Sequence, residues 1–188
     1  LHLCDKNLET ISNYDSNARH KLLAEVCMAA KYEAESLQGY YGKYDAEYHD
    51  LGSTICTVLA RSFADIGDIV RGKDLFYGNP QEKDQRKKLQ QNLKKIFEKI
   101  HGNLRKGVKD RYEGDKKNYF FQLREDWWTA NRETVWKALT CNAGSGKYFR
   151  ATCDSDDNEK TGTQAKNKCR CNDDQVPTYF DYVPQYLR

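Results

Sequence analysis

The residue types that most often catalyse reactions or bind metal ions are sparse in this sequence. Its four histidines, His2, His20, His49 and His101, are far apart and do not match the spacing of metal ligands. No Gly-x-Ser-x-Gly motif or other context for a nucleophile accompanies them. We therefore predict that the chain is not an enzyme and that it uses no cofactor and no metal ion.

Cysteines are abundant, and their spacing indicates disulfides rather than a metal site. The seven cysteines form no paired Cys-x-x-Cys motifs and are Cys4, Cys27, Cys56, Cys141, Cys153, Cys169 and Cys171. The pair Cys169-x-Cys171 is too tight and too isolated to bind zinc. This cysteine content favours an oxidising, extracellular setting. Because the number is odd, at least one cysteine lacks a partner, as expected for a fragment of a longer protein that begins at Leu1.

The acidic stretch after Cys153 resembles the start of a calcium-binding loop. Asp154, Asp156 and Asn158 occupy what would be positions one, three and five of such a loop. Position six is Glu159 instead of Gly, and position twelve is Ala165 instead of Glu. We therefore predict a solvated surface loop here.

The strongest chemical signal is a concentration of positive charge. Residues 81–117 contain thirteen Lys or Arg and six Asp or Glu, a net charge of +7, whereas the rest of the chain carries −4. Such a surface attracts anionic polymers, among them sulfated glycans, sialylated surfaces and nucleic acid. The alternative is a solvated helix face without a ligand. Because the cysteines indicate an extracellular setting and no nucleic-acid-reading motif is present, we predict no nucleic-acid partner.

Ten basic side chains of this region are the candidate ligand-binding residues. They are Lys87, Lys94, Lys95, Lys99, Arg105, Lys106, Lys109, Arg111, Lys116 and Lys117.

The elements that position these residues are predicted to be helices. Residues 15–38 have a helical period of apolar residues, and residues 39–53, rich in Gly and Tyr, indicate a structured loop. Residues 53–71 form a second, largely buried helix whose apolar stripe includes Cys56, Leu59, Phe63, Ile66 and Val70. Asp65, Asp68 and Arg71 fall on its other side. Gly67 inside this helix indicates a close helix crossing.

Two further helices are predicted. The third has Asn79 as its N-cap, Pro80 at its first position and Glu82 in a capping box, followed by an apolar face from Leu89 to Leu104. The fourth contains residues 126–141 and has two apolar stripes. Trp128, Arg132, Val135, Trp136 and Leu139 share one, and Trp127, Ala130, Thr134, Ala138 and Cys141 share the other.

The composition changes after Cys141. Residues 142–175 are rich in Gly, Ser, Asp, Asn and Lys, which indicates a long surface loop held by disulfides. Residues 176–188 then return to an aromatic, ordered character. We predict an all-α fold, a bundle of about four main helices with long disulfide-pinned loops.

Three long stretches carry a resemblance to a known family. They are "CTVLARSFADIGDIVRGKDLF" (56–76), "DWWTANRETVWKALTC" (126–141) and "VPTYFDYVPQYLR" (176–188), and "LHLCDKNLE" at the start agrees with them. The chain resembles the alpha class of Duffy-binding-like domains in the malaria parasite's variant erythrocyte membrane protein 1 antigens.

The resemblance implies a helical adhesion domain on the surface of infected erythrocytes, in the extracellular part of a membrane-anchored protein. Such domains mediate rosetting or adhesion to erythrocyte and endothelial receptors and undergo antigenic variation, so antibodies and neighbouring domains are expected partners. For the alpha class, sulfated glycans such as heparan sulfate, or blood-group glycans, are the leading ligands. Two alternatives remain open: a structural and antigenic spacer, and a protein-receptor binder that uses an apolar patch.

The resemblance also implies subdomains and disulfides. Residues 1–14 would end the first subdomain, residues 15–175 would form the helical second subdomain, and residues 176–188 would begin the third. It pairs Cys56 with Cys153 and leaves the partner of Cys4 upstream. Cys141 would then pair with Cys169 or Cys171, whereas Cys27 has no assigned partner.

Overall fold

Four long helices dominate the part of the chain that the structure describes. The computed structural model describes residues 18–48, 55–75, 78–144, 151–153, 162–165, 167–171 and 175–188. Within them the α-helices are α1 (Ala18–Tyr48), α2 (Ile55–Arg71), α3 (Pro80–Gly102), the single turn α4 (Lys106–Lys109) and α5 (Phe121–Leu139), and short 3-10 helices lie at Asp110–Tyr112, Asp115–Asn118, Phe180–Tyr182 and Gln185–Leu187. Strands β1 (Ala151–Cys153) and β2 (Thr163–Gln164) pair antiparallel. The predicted all-α bundle of about four main helices is confirmed.

Helix α1 is longer than the sequence pattern predicts. The predicted loop over residues 39–53 is wrong for its first part, because the helix continues through Gly39 and Gly42 to Tyr48. A glycine inside a helix costs about 1 kcal/mol, but extending an existing helix needs no new nucleus, and no proline interrupts this stretch. The sequence places a cap at Asp15 or Ser16 before α1 and at Ser53 before α2, and all three residues lie outside the described ones.

Helix α2 is the buried helix of the bundle. Its predicted stripe is confirmed, since Cys56, Leu59, Phe63, Ile66 and Val70 are all buried. The close crossing predicted at Gly67 is also present. A Cβ atom at this position would lie 2.8 Å from Cζ2 of Trp128 on α5, so only glycine lets the indole lie against the helix backbone.

Helix α3 starts as predicted. The Asn79 side chain accepts a hydrogen bond from the Glu82 backbone N–H at 2.9 Å, and the Glu82 carboxylate accepts one from the Asn79 N–H at 3.0 Å. Pro80 is the first helical residue. The buried face of α3 is the predicted one and comprises Leu89, Leu93, Ile96, Phe97 and Ile100, with Leu104 partly buried beyond the helix.

Helix α5 carries the three tryptophans into the core. Trp128 and Trp136 are fully buried, and both contact the Phe63 ring with centroids 5.1 Å apart. Trp127 packs edge-on against Phe97 at 6.2 Å. The second predicted stripe is only partly correct, because Ala130 and Thr134 are exposed. The helix is therefore buried along one broad face, which packs against α1, α2 and α3.

The disulfides differ from the prediction. Cys56 bonds Cys169 rather than Cys153, and Cys153 bonds Cys171. Cys141 pairs with neither Cys169 nor Cys171 and is a free thiol, as is Cys27.

Residues 167–171 explain this pairing. They lie over the end of α5, where the Trp136 Nε1–H donates to the Cys169 carbonyl oxygen at 3.0 Å and holds Cys169 within reach of Cys56 on α2. Cys153 instead packs with Ala165 and Cys171 in a small separate cluster. Cys4 lies outside the described residues.

The C-terminal segment, residues 175–188, packs across α2 and α5 through a buried carboxylate. Both oxygens of Asp181 accept hydrogen bonds from Arg132, at 2.8 and 2.9 Å, and one also accepts from Trp128 Nε1 at 2.8 Å. Arg71 donates to the Asp181 backbone carbonyl. Asp181 is 1% exposed, so this is a buried, fully partnered ion pair.

This docking changes the expected exposure of α2. Asp68 and Arg71, predicted on the outer side of the helix, are buried because the C-terminal segment covers that side. Arg71 Nη2 donates to Asp68 at 3.0 Å, and Arg188 pairs with Asp68 and, at 3.0 Å, with Asp65. We call Arg71, Arg132 and Arg188 the arginine network.

Candidate ligand-binding surface

The ten predicted basic residues lie on α3 and on the segment that joins it to α5. Lys94 and Lys109 are half-buried, and the other eight are exposed. At 100° per residue, Lys87 and Lys94 occupy one row of α3, whereas Lys95 and Lys99 lie roughly 80–140° around the helix from that row. The structure therefore does not bring all ten side chains into one site.

Glu98 of α3 interacts with lysines of its own helix and of the segment that joins α3 to α5. Lys116 Nζ lies 2.7 Å from Glu98 Oε1. That hydrogen bond is the main reason that the pKa of Glu98 is lowered, and the charges of Lys116, Lys94 and Lys99 lower it further. Lys116 thus pairs with this carboxylate, the charges of Lys94 and Lys99 also act on it, and positive charge remains in excess.

His101 marks a second, adjoining point. Its ring packs against buried Phe120 in a tilted arrangement with centroids 5.6 Å apart. Partial burial lowers the pKa of His101, and the nearby charges of Lys109 and Lys116 lower it further against the opposing effect of Asp115. We call Lys94, Lys99, Lys109 and Lys116 the basic face, since the charge of each acts on Glu98 or His101, and that of Lys116 acts on both.

The other predicted basic residues stand apart from these two points. Within the described ranges, no ion pair is formed by Lys87, Lys95, Arg105, Lys106, Arg111 or Lys117. A surface lysine without a partner remains hydrated and available to an incoming anion.

A cavity beside the basic face was missed by the sequence reasoning. It has a volume of about 500 Å³, and its lining includes Arg86, Lys87, Gln91, Lys94, Tyr119 and Phe121. Only Lys87 and Lys94 were predicted. The signal in the sequence is the aromatic run Tyr119-Phe120-Phe121, separated from Lys116 and Lys117 by Asn118 alone, but periodicity cannot show that it turns back toward α3.

The turn before α5 positions those aromatic rings. Tyr119 and Phe120 have φ values of 57° and 60°, in the left-handed region that larger side chains rarely adopt. The Asp115 carboxylate holds this turn, since it accepts hydrogen bonds from the Gln122 and Leu123 N–H groups at 3.1 and 3.0 Å. Phe120 is consequently buried, whereas Tyr119 and Phe121 are 55% and 43% exposed.

A second exposed region is aromatic rather than charged. Tyr179, Tyr186 and Leu187 of the C-terminal segment are 72%, 75% and 66% exposed, respectively. Leu75, 49% exposed, lies near them, since its backbone N–H donates to the Gln185 side chain at 2.7 Å. This is the apolar surface on which a protein-receptor interpretation would rest.

Two features are absent from the described residues. No group of three or more His, Cys, Asp or Glu residues there is placed to hold a metal ion. None of the helices in this part of the chain has the length and apolar character needed to cross a bilayer.

The chain is similar to one known protein family and to several solved structures. The family model for the Duffy binding domain matches residues 1–188. No curated protein sequence matches the chain. Among solved structures, the NTS-DBL1α and CIDRγ double domain of the PfEMP1 protein from the Plasmodium falciparum varO strain is 44% identical with a TM-score of 0.78. That match covers 99% of this chain and 25% of the double domain.

Two structures of DBLβ domains extend the comparison. The ICAM-1-binding PfEMP1 IT4var13 DBLβ domain is 33% identical with a TM-score of 0.70, and the match covers 100% of this chain and 39% of that one. Another PfEMP1 DBLβ domain, bound to human ICAM-1, is 31% identical with a TM-score of 0.65, covering 99% and 36%. The chain thus spans a quarter to two fifths of the length of these structures. Because the family model matches every residue and the helical bundle is shared, the chain belongs to the Duffy binding domain family.

Proposed function

We propose that the chain is part of an extracellular adhesion domain that binds sulfated glycans on host cells through the basic face. The observation that carries this proposal is the ion pair of Lys116 with Glu98, an exposed carboxylate on which the charges of Lys94 and Lys99 also act. One carboxylate neutralises one of these charges, so the region remains cationic. A sulfated polymer would supply the missing anions and release its own counterions on binding.

Family membership supports the adhesive part of this proposal. The Duffy binding domain is an adhesion family, and two of the similar PfEMP1 structures bind ICAM-1. By extension we propose a location on the infected erythrocyte surface, with rosetting and antigenic variation as its setting. We also keep the division into subdomains at residues 1–14, 15–175 and 176–188 as part of this proposal.

A second candidate function is binding of a protein receptor through the C-terminal segment. The observation that favours it is the exposure of Tyr179, Tyr186 and Leu187, since aromatic side chains are enriched at protein interfaces. The spacer alternative is favoured by the length of the match. This chain corresponds to 25% of the similar double domain, so the receptor contacts can lie in the other parts of such a protein.

The test is retention of the folded chain on immobilised heparin at increasing salt. The variant Lys94→Glu, Lys99→Glu, Lys116→Glu should bind at least about tenfold more weakly, because it reverses the charge of three side chains around Glu98. Wild-type retention should fall steeply with salt, whereas binding through the aromatic residues should not.

A control variant makes the same charge change elsewhere. Arg19, Lys43 and Arg61 are exposed residues of α1 and α2, so Arg19→Glu, Lys43→Glu, Arg61→Glu alters the net charge equally without touching the basic face. The control should keep most of the heparin affinity. Equal losses of heparin affinity in the two variants would show that only the net charge matters. If the wild type binds neither heparin nor erythrocytes, the result would favour the structural and antigenic spacer.

A further inference from the structure

The cavity between α3 and the turn before α5 combines features of a specific ligand site. Its volume of about 500 Å³ lies in the range of pockets that bind small molecules. Aromatic rings at Tyr119 and Phe121 and the apolar stems of Lys87 and Lys94 supply flat, apolar walls. Such walls suit the faces of a sugar ring, whereas a binding surface for a bare polyanion needs only charge.

Charge in the cavity is positive and only partly compensated. Arg86, Lys87, Lys94 and Arg124 line it, against the single carboxylate of Asp74. That carboxylate is already used by Arg86, whose Nε lies 3.1 Å away. Arg124 is turned inward, where it donates to the Val70 carbonyl at 2.6 Å. The ammonium groups of Lys87 and Lys94 are therefore the cations left for a ligand.

The rings and the ammonium groups are held in place before any ligand arrives. Lys94 Nζ lies 4.3 Å from the centre of the Tyr119 ring, a cation–π contact that fixes both side chains at the rim. The left-handed backbone at Tyr119 and Phe120 is kept by buried Asp115 and by burial of Phe120. Strained backbone of this kind is concentrated at functional sites, where it fixes a geometry that binding requires.

Side-chain amides complete the lining. Gln90 is engaged internally, since it accepts from Arg124 Nη2 at 2.8 Å and donates to the Ile69 carbonyl at 3.0 Å. Gln91, one residue on, is exposed on the cavity wall. An exposed amide can donate and accept, which matches the hydroxyl groups of a sugar.

We propose that this cavity is the specificity pocket of the basic face and that it binds one sulfated sugar residue of the glycan. The sulfate pairs with Lys87 and Lys94, the sugar ring lies against Tyr119 and Phe121, and Gln91 bonds a hydroxyl group. This inference rests on the proposed function, because the remainder of the glycan would continue along the basic face. It adds that recognition requires a shaped pocket in addition to charge.

The decisive test fills the cavity without changing charge. Gln91→Trp places a large side chain on the cavity wall at an exposed helical position that tolerates it. Calorimetric titration with a heparin-derived tetrasaccharide should show an affinity at least about tenfold weaker than for the wild type. The control, Gln85→Trp, makes the same change at an exposed α3 residue outside the cavity lining and should leave the affinity unchanged.

Two further variants test the contributions of the Tyr119 ring and of the Lys87 charge to binding separately. Tyr119→Asn removes the ring but keeps a residue that tolerates left-handed backbone, so it should weaken binding about fivefold without changing the salt dependence. Lys87→Gln should weaken it about tenfold, whereas Lys88→Gln, which removes an equal charge outside the cavity, should have little effect.

The outcomes distinguish this pocket from the proposed function. Wild-type affinity in Gln91→Trp and Tyr119→Asn, together with loss of heparin retention in the triple Glu variant, would overturn the pocket and leave the basic face. Absence of tetrasaccharide and heparin binding by the wild type would overturn both. Tighter binding of a sialylated trisaccharide, which carries a carboxylate, than of the tetrasaccharide would overturn the assignment to a sulfated sugar.

Discussion

The arginine network and the basic face use positive charge in opposite ways. In the arginine network, Arg71, Arg132 and Arg188 are each matched by buried carboxylates or carbonyls and lie over aromatic rings. In the basic face, three of the four lysines act on one exposed carboxylate, Glu98, and the fourth, Lys109, acts on His101. Guanidinium groups bind carboxylates in a fixed two-pronged geometry, whereas ammonium groups are hydrated point charges on flexible stems.

This difference separates what holds the fold from what can meet a ligand. A buried, bidentate pair is strongly stabilising relative to losing one partner, because the other charge would be left without solvent. An exposed lysine contributes little to stability, so it can be replaced without unfolding the domain. Substitutions in the arginine network should therefore affect stability, and substitutions in the basic face should affect binding.

The largest expected effect comes from removing the central carboxylate of the arginine network. Asp181→Ala leaves Arg132 and the Trp128 Nε1–H without their acceptor in a buried site, so the free energy of unfolding should fall by about 3–5 kcal/mol. Urea denaturation measures this change. Asp110→Ala, at an exposed position, is the control and should alter stability by less than about 0.5 kcal/mol. A loss below about 1 kcal/mol in Asp181→Ala would contradict the assigned role.

The next largest effect concerns the contact on which Trp128 rests. Gly67→Ala places a methyl group 2.8 Å from the buried indole, and the overpacking should cost about 1–3 kcal/mol despite the better helix propensity of alanine. Gly39→Ala is the matched control, because its Cβ would have no atom within 4 Å, and it should stabilise the protein by up to about 1 kcal/mol. Thermal denaturation distinguishes them, and equal shifts would show that the indole can move.

A much smaller effect on stability is expected for substitutions of the exposed lysines of α3. Lys95→Ala and Lys99→Ala should each change the free energy of unfolding by less than about 0.5 kcal/mol, because both side chains are exposed. Chemical denaturation measures the change, and heparin retention of the same samples should decrease for Lys99→Ala. A destabilisation above about 1 kcal/mol would assign these lysines to the framework.

The smallest effect is a change in titration. Since Lys116 lowers the pKa of Glu98 in the folded state, Lys116→Gln should raise that pKa toward its ordinary value. The stabilisation from this pair is present above the unfolded-state pKa and is lost as the pH falls through the folded-state pKa. Carbon-13 NMR of the Glu98 carboxyl measures the shift. An unchanged pKa would mean that Lys94 and Lys99 account for the effect.

Local sequence signals predicted much of the framework. The capping box at Asn79, the apolar faces of α2 and α3, and the close approach at Gly67 all follow from neighbouring residues on one helix. The end of α1 was not predictable in this way, because glycines at positions 39 and 42 suggest a break that the established helix overrides.

Contacts between distant segments of the chain could not be predicted from the pattern of residues on one helix. Burial of Asp68 and Arg71 depends on a segment more than 100 residues later in the chain, and a helical period cannot show what covers a polar side. The pairing of Cys56 with Cys169 has the same origin, since connectivity is set by the return path of the loop. The cavity at Lys87 and Lys94 likewise depends on a turn that brings Tyr119 back to α3.

The tripeptide Cys169-Arg170-Cys171 places the ends of both disulfides two residues apart. During oxidative folding, Cys56 or Cys153 can therefore reach either thiol, and a swapped pairing differs only by a short slip of the chain. The native pairing is selected by non-covalent contacts, in which Trp136 holds the Cys169 carbonyl and Arg170 donates to the Lys137 carbonyl at 2.9 Å. We therefore expect that recombinant production needs conditions in which thiol–disulfide exchange converts mispaired chains to the native pairing, and that a fast, irreversible oxidant gives a mixture of isomers.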